Sequence, residues 1–215
     1  MKNLRKNTPQ KTKLFSLLLL MVIVVCISFV RATNEDTYYK SYDRSNILIE
    51  GSSNMGNWSI NATSFVCDGR FELEKGELQE LSELSFALPV TQLKSENPLM
   101  DTAMEELFKH NQITEVTFKQ TNAMVLSVMK MANVIGELQI GNKQNRVALQ
   151  LSYVVNEDQS LTFRGTQSIK LSDYQLKMPE AILGAIKNSD EVKVTLLVTL
   201  SNEQMALLKS QDLSR

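Results

Sequence analysis

The residues able to do chemistry in this chain are few and scattered. Its 215 residues hold one histidine, His110, and two cysteines, Cys26 and Cys67. A metal site needs several ligands converging at fixed spacing, and a single His without a Cys pair does not supply them. His110 falls at the end of a helix-like segment, where a cation meets the negative end of the helix dipole. A Ser–His–Asp set exists by arithmetic alone. No G-x-S-x-G elbow accompanies it, and β-strands are the wrong setting for that turn. Asp68, Glu72, Glu74 and Glu77 crowd around Gly69 and Gly76. Paired carboxylates hydrolyse glycosides, but charge gathered at turns more simply makes a solvated hairpin rim. The expectation is therefore a protein that is not an enzyme and has neither metal nor cofactor.

Charge divides the chain in two. The formal net charge of −1 averages unlike segments. Residues 1–32 hold six basic residues and no acid, and Leu14–Val30 is an uncharged apolar run. A basic start, an apolar middle and Val30-Arg31-Ala32 at the end fit a Sec-type signal peptide. The run is also just long enough to stay as a membrane anchor through residues 14–30. Export, to the periplasm or the medium, is expected either way. Without residues 1–32 the chain keeps 17 basic and 24 acidic residues, a formal charge of −7. An acidic domain is a poor partner for nucleic acid. It also retains only Cys67, which reads as a buried, inert thiol.

The elements beyond the leader alternate with a period of two. Residues 33–45 are polar and aperiodic, a linker or a first edge strand. From residue 46 to 201 apolar positions recur every second residue, as in Val134, Gly136, Leu138 and Ile140, or Val192, Val194, Leu196, Val198 and Leu200. This is the mark of strands with one apolar face. Gly141-Asn142, Asn156-Glu157-Asp158 and Asn188-Ser189-Asp190 supply turns. Gly51 interrupts a strand as at a bend. One segment departs from the pattern. Leu99, Met100, Ala103, Met104, Leu107 and Phe108 fall at helical spacing behind Asn97, an N-cap, and Pro98, which suits a first helical turn. Shorter helical stretches are expected over Pro179–Lys187 and in the tail, residues 202–215. One all-β domain follows, spanning 46–201 with an amphipathic helix inserted between strands. Alternation suits a sandwich as well as a barrel.

Four blocks in order narrow this choice. They are Ser45–Leu78, with a small-residue turn and an aromatic; Val90–Thr121, with the helix between two strands; Gly136-Glu137-Leu138-Gln139-Ile140; and Leu171–Leu200, with a Pro-containing loop and Gly184. Together they resemble the YceI-like family of exported lipocalin-like antiparallel β-barrels. Many of those relatives carry His-Asp-Trp where this chain has Gly56-Asn57-Trp58, so no role of that His transfers. The family often has a Pro near Gln112, and it is missing here. The resemblance implies an apolar lipid partner, a polyisoprenoid or quinone-like chain, held inside the barrel. The residues expected to line the interior and mouth are Trp58, Phe71, Phe86, Leu88, Leu99, Met104 and Phe118. Leu138, Leu149, Leu151, Phe163, Met178 and Ile182 complete that set. Trp58 either stacks on a ligand at the mouth or plugs the barrel's closed end. The competing expectation is a barrel packed solid by its own side chains, acting as a structural or interaction module of the envelope.

Overall fold

The computed structural model describes residues 37–41, 45–54, 56–176 and 189–202, all within one compact unit, Glu35–Arg215. The leader, Met178, Ile182 and the two further helical stretches lie outside the described residues. The strands are β1 (Thr37–Ser41), β2 (Asn46–Ser53), β3 (Gly56–Ala62), β4 (Val66–Glu74), β5 (Glu77–Pro89), β6 (Glu115–Leu126), β7 (Met131–Ile140), β8 (Lys143–Val155), β9 (Leu161–Lys170) and β10 (Glu191–Asn202). One α-helix among the described residues, α1 (Pro98–His110), sits between β5 and β6.

All ten strands join one antiparallel sheet in the order β1-β4-β5-β6-β7-β8-β9-β10-β2-β3. β1 also pairs with β10, so eight strands close into the expected barrel. Closure removes the sticky edges that an open sheet would expose. The seam explains the extra strands. β1 and β2 lie end to end along β10, with Ser41 opposite Leu200 and Asn46 opposite Leu197. The segment read as a linker or edge strand thus supplies β1, which has β4 on one side and β10 on the other. Beyond β3 the ladder shrinks to one bridge, in which Asn61 and Lys94 exchange backbone hydrogen bonds of 2.8 and 3.0 Å.

Local chemistry sets the turns and the helix. Lys75 and Gly76 both have positive φ, 52° and 78°, and join β4 to β5 in a two-residue hairpin. Asn97 caps α1 as expected, its Oδ1 accepting the Leu99 N–H at 3.0 Å, with Pro98 in the first turn. The Asp101 carboxylate accepts the Ser95 N–H and Oγ–H at 2.7 and 2.9 Å, clasping the helix to the loop before it. Met100, Met104 and Phe108 then pack with Ile47, Ile60, Leu88 and Leu93 beside the seam.

β8 and β9 pair only from Leu151–Val155 to Leu161–Gly165 and then diverge. At the divergence a Cβ on Gly165 would stand 2.5 Å from Leu151 Cδ2 and 3.0 Å from the Gln150 carbonyl oxygen, so a side chain there would crowd β8. Above it Asn145 Nδ2 donates to the Asp173 carbonyl at 3.0 Å, tying β8 to the 3-10 turn Leu171–Tyr174.

Candidate ligand cavity

Inward-facing side chains of the barrel enclose a cavity of about 750 Å³. Its floor is aromatic and aliphatic. Phe71 packs edge-on to Tyr39, with ring centroids 5.2 Å apart, and tilts against Phe163 at 5.7 Å. Leu151 and Leu200 complete the floor. Beneath it Leu78, Ala132, Val134 and Leu161 have no exposure, and Tyr153 has 2%. The floor is therefore the end of the barrel that its own side chains fill.

The walls come from alternate residues of the long strands. Phe86 and Leu88 of β5, Phe118 of β6, Leu138 of β7, Leu149 of β8 and Phe163 of β9 all line the cavity. Residues in phase with them complete the lining, among them Ile140, Val147, Ile169, Val194 and Leu196. Their period-two spacing carried the signal that would have singled them out. Volume in this range is that of ordinary ligand pockets. The expectation of a solidly packed barrel is not what the described residues form.

At the far end from the floor, α1 contributes Met100, Met104, Leu107 and Phe108. Leu99 does not join them and is 80% exposed. Successive helical residues turn by about 100°, so a face centred on Met100, Met104 and Leu107 excludes its neighbour. The expectation of Leu99 as a lining residue is corrected on that ground.

Trp58 lines the cavity in the cluster that α1 covers, away from the floor. That placement corrects the alternative in which it plugs the closed end. It stands opposite Gly51 in the β2–β3 register. A Cβ on Gly51 would lie 2.2 Å from Trp58 Cζ2 and 2.6 Å from Cε2. The glycine is a seat for the indole rather than a bend. Trp58 Nε1 is buried and has no hydrogen-bond partner among the described residues.

Polar groups reach the cavity from one stretch of wall. Gln167 stands in the inward series of β9 between Phe163 and Ile169, Ser172 and Gln175 follow in and after the 3-10 turn, and Ser189 and Asp190 precede β10. Asp190 accepts the Ser172 N–H at 2.8 Å and its Oγ–H at 2.7 Å. Those bonds hold its carboxyl below the usual carboxylate range. Gln167 was in phase with the apolar series. The others depend on strand pairing distant in sequence, so local pattern does not mark them.

The remaining reactive groups are spoken for. Cys67 lines the cavity, and burial, with the neighbouring Asp68 carboxylate, pushes its pKa up to about 12. Asp68 accepts the Ser85 Oγ–H at 2.6 Å, and Glu77 pairs with Lys130. Among the described residues no group of three His, Cys, Asp or Glu side chains converges as a metal site. No described helix is long and apolar enough to cross a membrane.

Known proteins fit this architecture. The profile of the YceI-like domain matches residues 42–200. BcnA of Burkholderia cenocepacia is 15% identical with a TM-score of 0.59, over 73% of this chain and 96% of that one. The YCEI protein of Campylobacter jejuni is 17% identical with a TM-score of 0.54, over 67% and 84%. A polyisoprenoid binding domain from Saccharophagus degradans, implicated in plant cell wall breakdown, is 13% identical with a TM-score of 0.57, over 78% and 99%. No curated protein matches the chain. With a profile match across most of its length, the chain belongs to the YceI-like domain family.

Proposed function

We propose that this protein is an exported lipid-binding barrel that holds a long apolar chain, of isoprenoid or quinone-like type, in its interior. The observation that carries the reading is the cavity of about 750 Å³ walled almost wholly by Leu, Ile, Val, Phe and Met. Its polar residues, Gln167, Ser172, Gln175, Ser189 and Asp190, are confined to one stretch of that wall. The wall takes an apolar chain out of water at roughly 25 cal/mol per Å² of surface removed. The resemblance to the Saccharophagus degradans domain supports the isoprenoid class. Methionines on α1 add an unbranched, adaptable surface suited to a flexible chain. Export rests on the basic, then apolar leader.

Organic extraction of the purified protein followed by mass spectrometry tests the function. A prenyl lipid recovered near one per protein is expected. A folded barrel that carries no lipid and takes up none when offered would overturn it. N-terminal sequencing of protein from fractionated cells tests export, with a start near residue 33 expected for a cleaved leader.

A further inference from the structure

A cavity that holds a chain needs a way in. Its floor is filled by side chains, and Met100, Met104, Leu107 and Phe108 of α1 lie across the far end. Around the wall the ladder lapses beyond β3, where it ends in the Asn61–Lys94 bridge and α1 packs. It lapses again between β8 and β9. Pairing there stops at Leu151 and Gly165, and the two strands run on apart through Gln144–Gln150 and Thr166–Lys170. The Asn145 Nδ2–H to Asp173 carbonyl bond spans this slot at its top. Exposure follows the slot. On β8 Leu151 and Tyr153 are buried, but Val147 and Leu149 beside the slot are only half-buried. Their partners on the other side, Gly136 and Val134 of β7, are buried. On β9 Ile169 is half-buried while its β10 partner Val192 is buried. Among the described residues that line the cavity, those classed as exposed are Ser172, Gln175, Ser189 and Asp190, all next to the upper end of the slot.

Resting on the lipid-binding reading above, we infer that the slot between β8 and β9, from Gly165 up to the turn Leu171–Tyr174, is a side entrance by which an apolar chain reaches the cavity. Val147, Leu149, Ile169 and Leu171 flank it and line the cavity behind it, so a chain passing between the strands moves along hydrocarbon. The Thr166–Lys170 edge is about 16 Å long at the usual rise of a strand, which admits a chain lengthwise. Entry here disturbs neither the packed floor nor the seat of Met104 on Ile47, Ile60 and Leu88. An entrance sets how fast a ligand comes and goes. Because uptake and release share the path, their ratio, the affinity, does not depend on it.

Ala148 and Ser168 are exposed, one on each edge of the slot, and continuing the Leu151–Gly165 register would set them opposite each other. Ala148→Cys and Ser168→Cys are made singly in the delipidated full chain carrying Cys26→Ser, and each is coupled to a polyethylene glycol maleimide. Cys67 is buried and stays unlabelled. Lys119→Cys on the paired strand β6 and Leu99→Cys on α1, both exposed positions, carry the same adduct as controls. Uptake and release of retinol, a fluorescent isoprenoid alcohol, are followed by stopped flow through the quenching of Trp58, the only tryptophan in the chain. Either slot adduct is expected to slow uptake and release together, about tenfold, with Kd unchanged within about twofold. The control adducts are expected to leave both rates as they are. Unchanged rates with both slot adducts overturn the side entrance and leave lipid binding standing. So does slowing by the Leu99 adduct alone, which would put the entrance at α1, or a weaker Kd with an unchanged uptake rate. Failure of the unlabelled protein to take up retinol overturns both readings.

Discussion

At the floor of the barrel Leu78, Ala132, Val134 and Leu161 are wholly excluded from solvent, while at the α1 end Trp58 and Met100 are only partly buried, beside the cavity. The same alternating strands run through both ends, so strand pattern does not make the difference. Side-chain size and cover do. At the floor, Phe71, Phe163 and Tyr153 meet across the barrel axis with ring centroids about 6 Å apart or less along the chain Phe71–Phe163–Tyr153. At the other end the ladder lapses to the Asn61–Lys94 bridge beyond β3, and α1 packs its Met100, Met104 and Phe108 over that end. One end is held by packing. The other is held by a helix, one backbone bridge and serine–carboxylate clasps. Stability and binding are therefore expected to separate by end.

The largest effect belongs to the floor. Leu161→Ala removes a side chain with no exposure from beneath the cavity. It is expected to cost about 3 kcal/mol, in the range for buried leucines, read as a lower urea midpoint. Lipid uptake by the protein that remains folded should persist. Loss of uptake in a fully folded sample would show that the floor shapes the site and would break the division.

Two glycines sharpen the comparison at smaller scale. A Cβ on Gly136 would stand 2.5 Å from the Lys119 carbonyl oxygen and 2.4 Å from the Phe118 ring. Backbone does not yield, so Gly136→Ala should cost about 2 kcal/mol by overpacking. The three atoms nearest a Cβ on Gly51 all belong to the Trp58 ring, a side chain that borders the cavity. Gly51→Ala should change stability by about 1 kcal/mol or less but shift Trp58 fluorescence and weaken lipid binding. Equal stability losses in the two variants would mean the indole is as fixed as the core.

The contrast also shows what the sequence discloses. Alternation marked Val134 to Ile140 and Val192 to Leu200 as strands because both are long and have one buried face. Asn97-Pro98 marked the helix start because capping is local. β3 and β4 were harder to see. Gly56-Asn57-Trp58-Ser59 and Asp68-Gly69-Arg70 break the apolar count, and each strand spans only part of the seam. The site divides in the same way. Phe86, Phe118 and Phe163 are inward by parity alone. Leu99 was legible as helical but not as outward, since six apolar residues crowd more than one face and tertiary packing chooses between them. Trp58's orphaned N–H depends on Gly51 across a hairpin and on what α1 covers, which no single segment encodes.

Cys67 probes the cavity by titration. Its thiol pKa rises from 9.0 to about 12 in the fold. Between those values the unfolded chain has lost a proton that the folded chain keeps, so stability falls as pH rises. The contribution is fully present below about pH 9 and is lost by about pH 12. Wild type should lose stability more steeply than Cys67→Ala across that window in urea titrations. Parallel curves would mean that water reaches the thiol, and that the cavity wall is wetter at Cys67 than its neighbours suggest.

The smallest effect lies at the other end of the pH scale and of the molecule. Asp101 and Asp190 both accept backbone and hydroxyl hydrogen bonds from a serine, Ser95 and Ser172, and both have pKa values held below 3.8. A carboxyl lowered in the fold stabilises it above its unfolded pKa, and that contribution drains away as pH falls through the folded value. Asp190 is solvent-exposed and Asp101 only half-buried, so each clasp adds little to global stability. Its effect is local, because Asp101 ties down the start of α1 and Asp190 ties the turn after β9 to β10. Neither clasp is at the floor, whose lining side chains are aromatic and aliphatic. As pH drops below 3.8, Trp58 fluorescence should change before the near-UV circular dichroism of Tyr39 and Tyr153 does. Asp101→Asn should bring part of that early change to neutral pH. Coincident transitions at both probes would mean that the helix end and the floor unfold as one unit, and the two ends would then differ in packing but not in cooperativity.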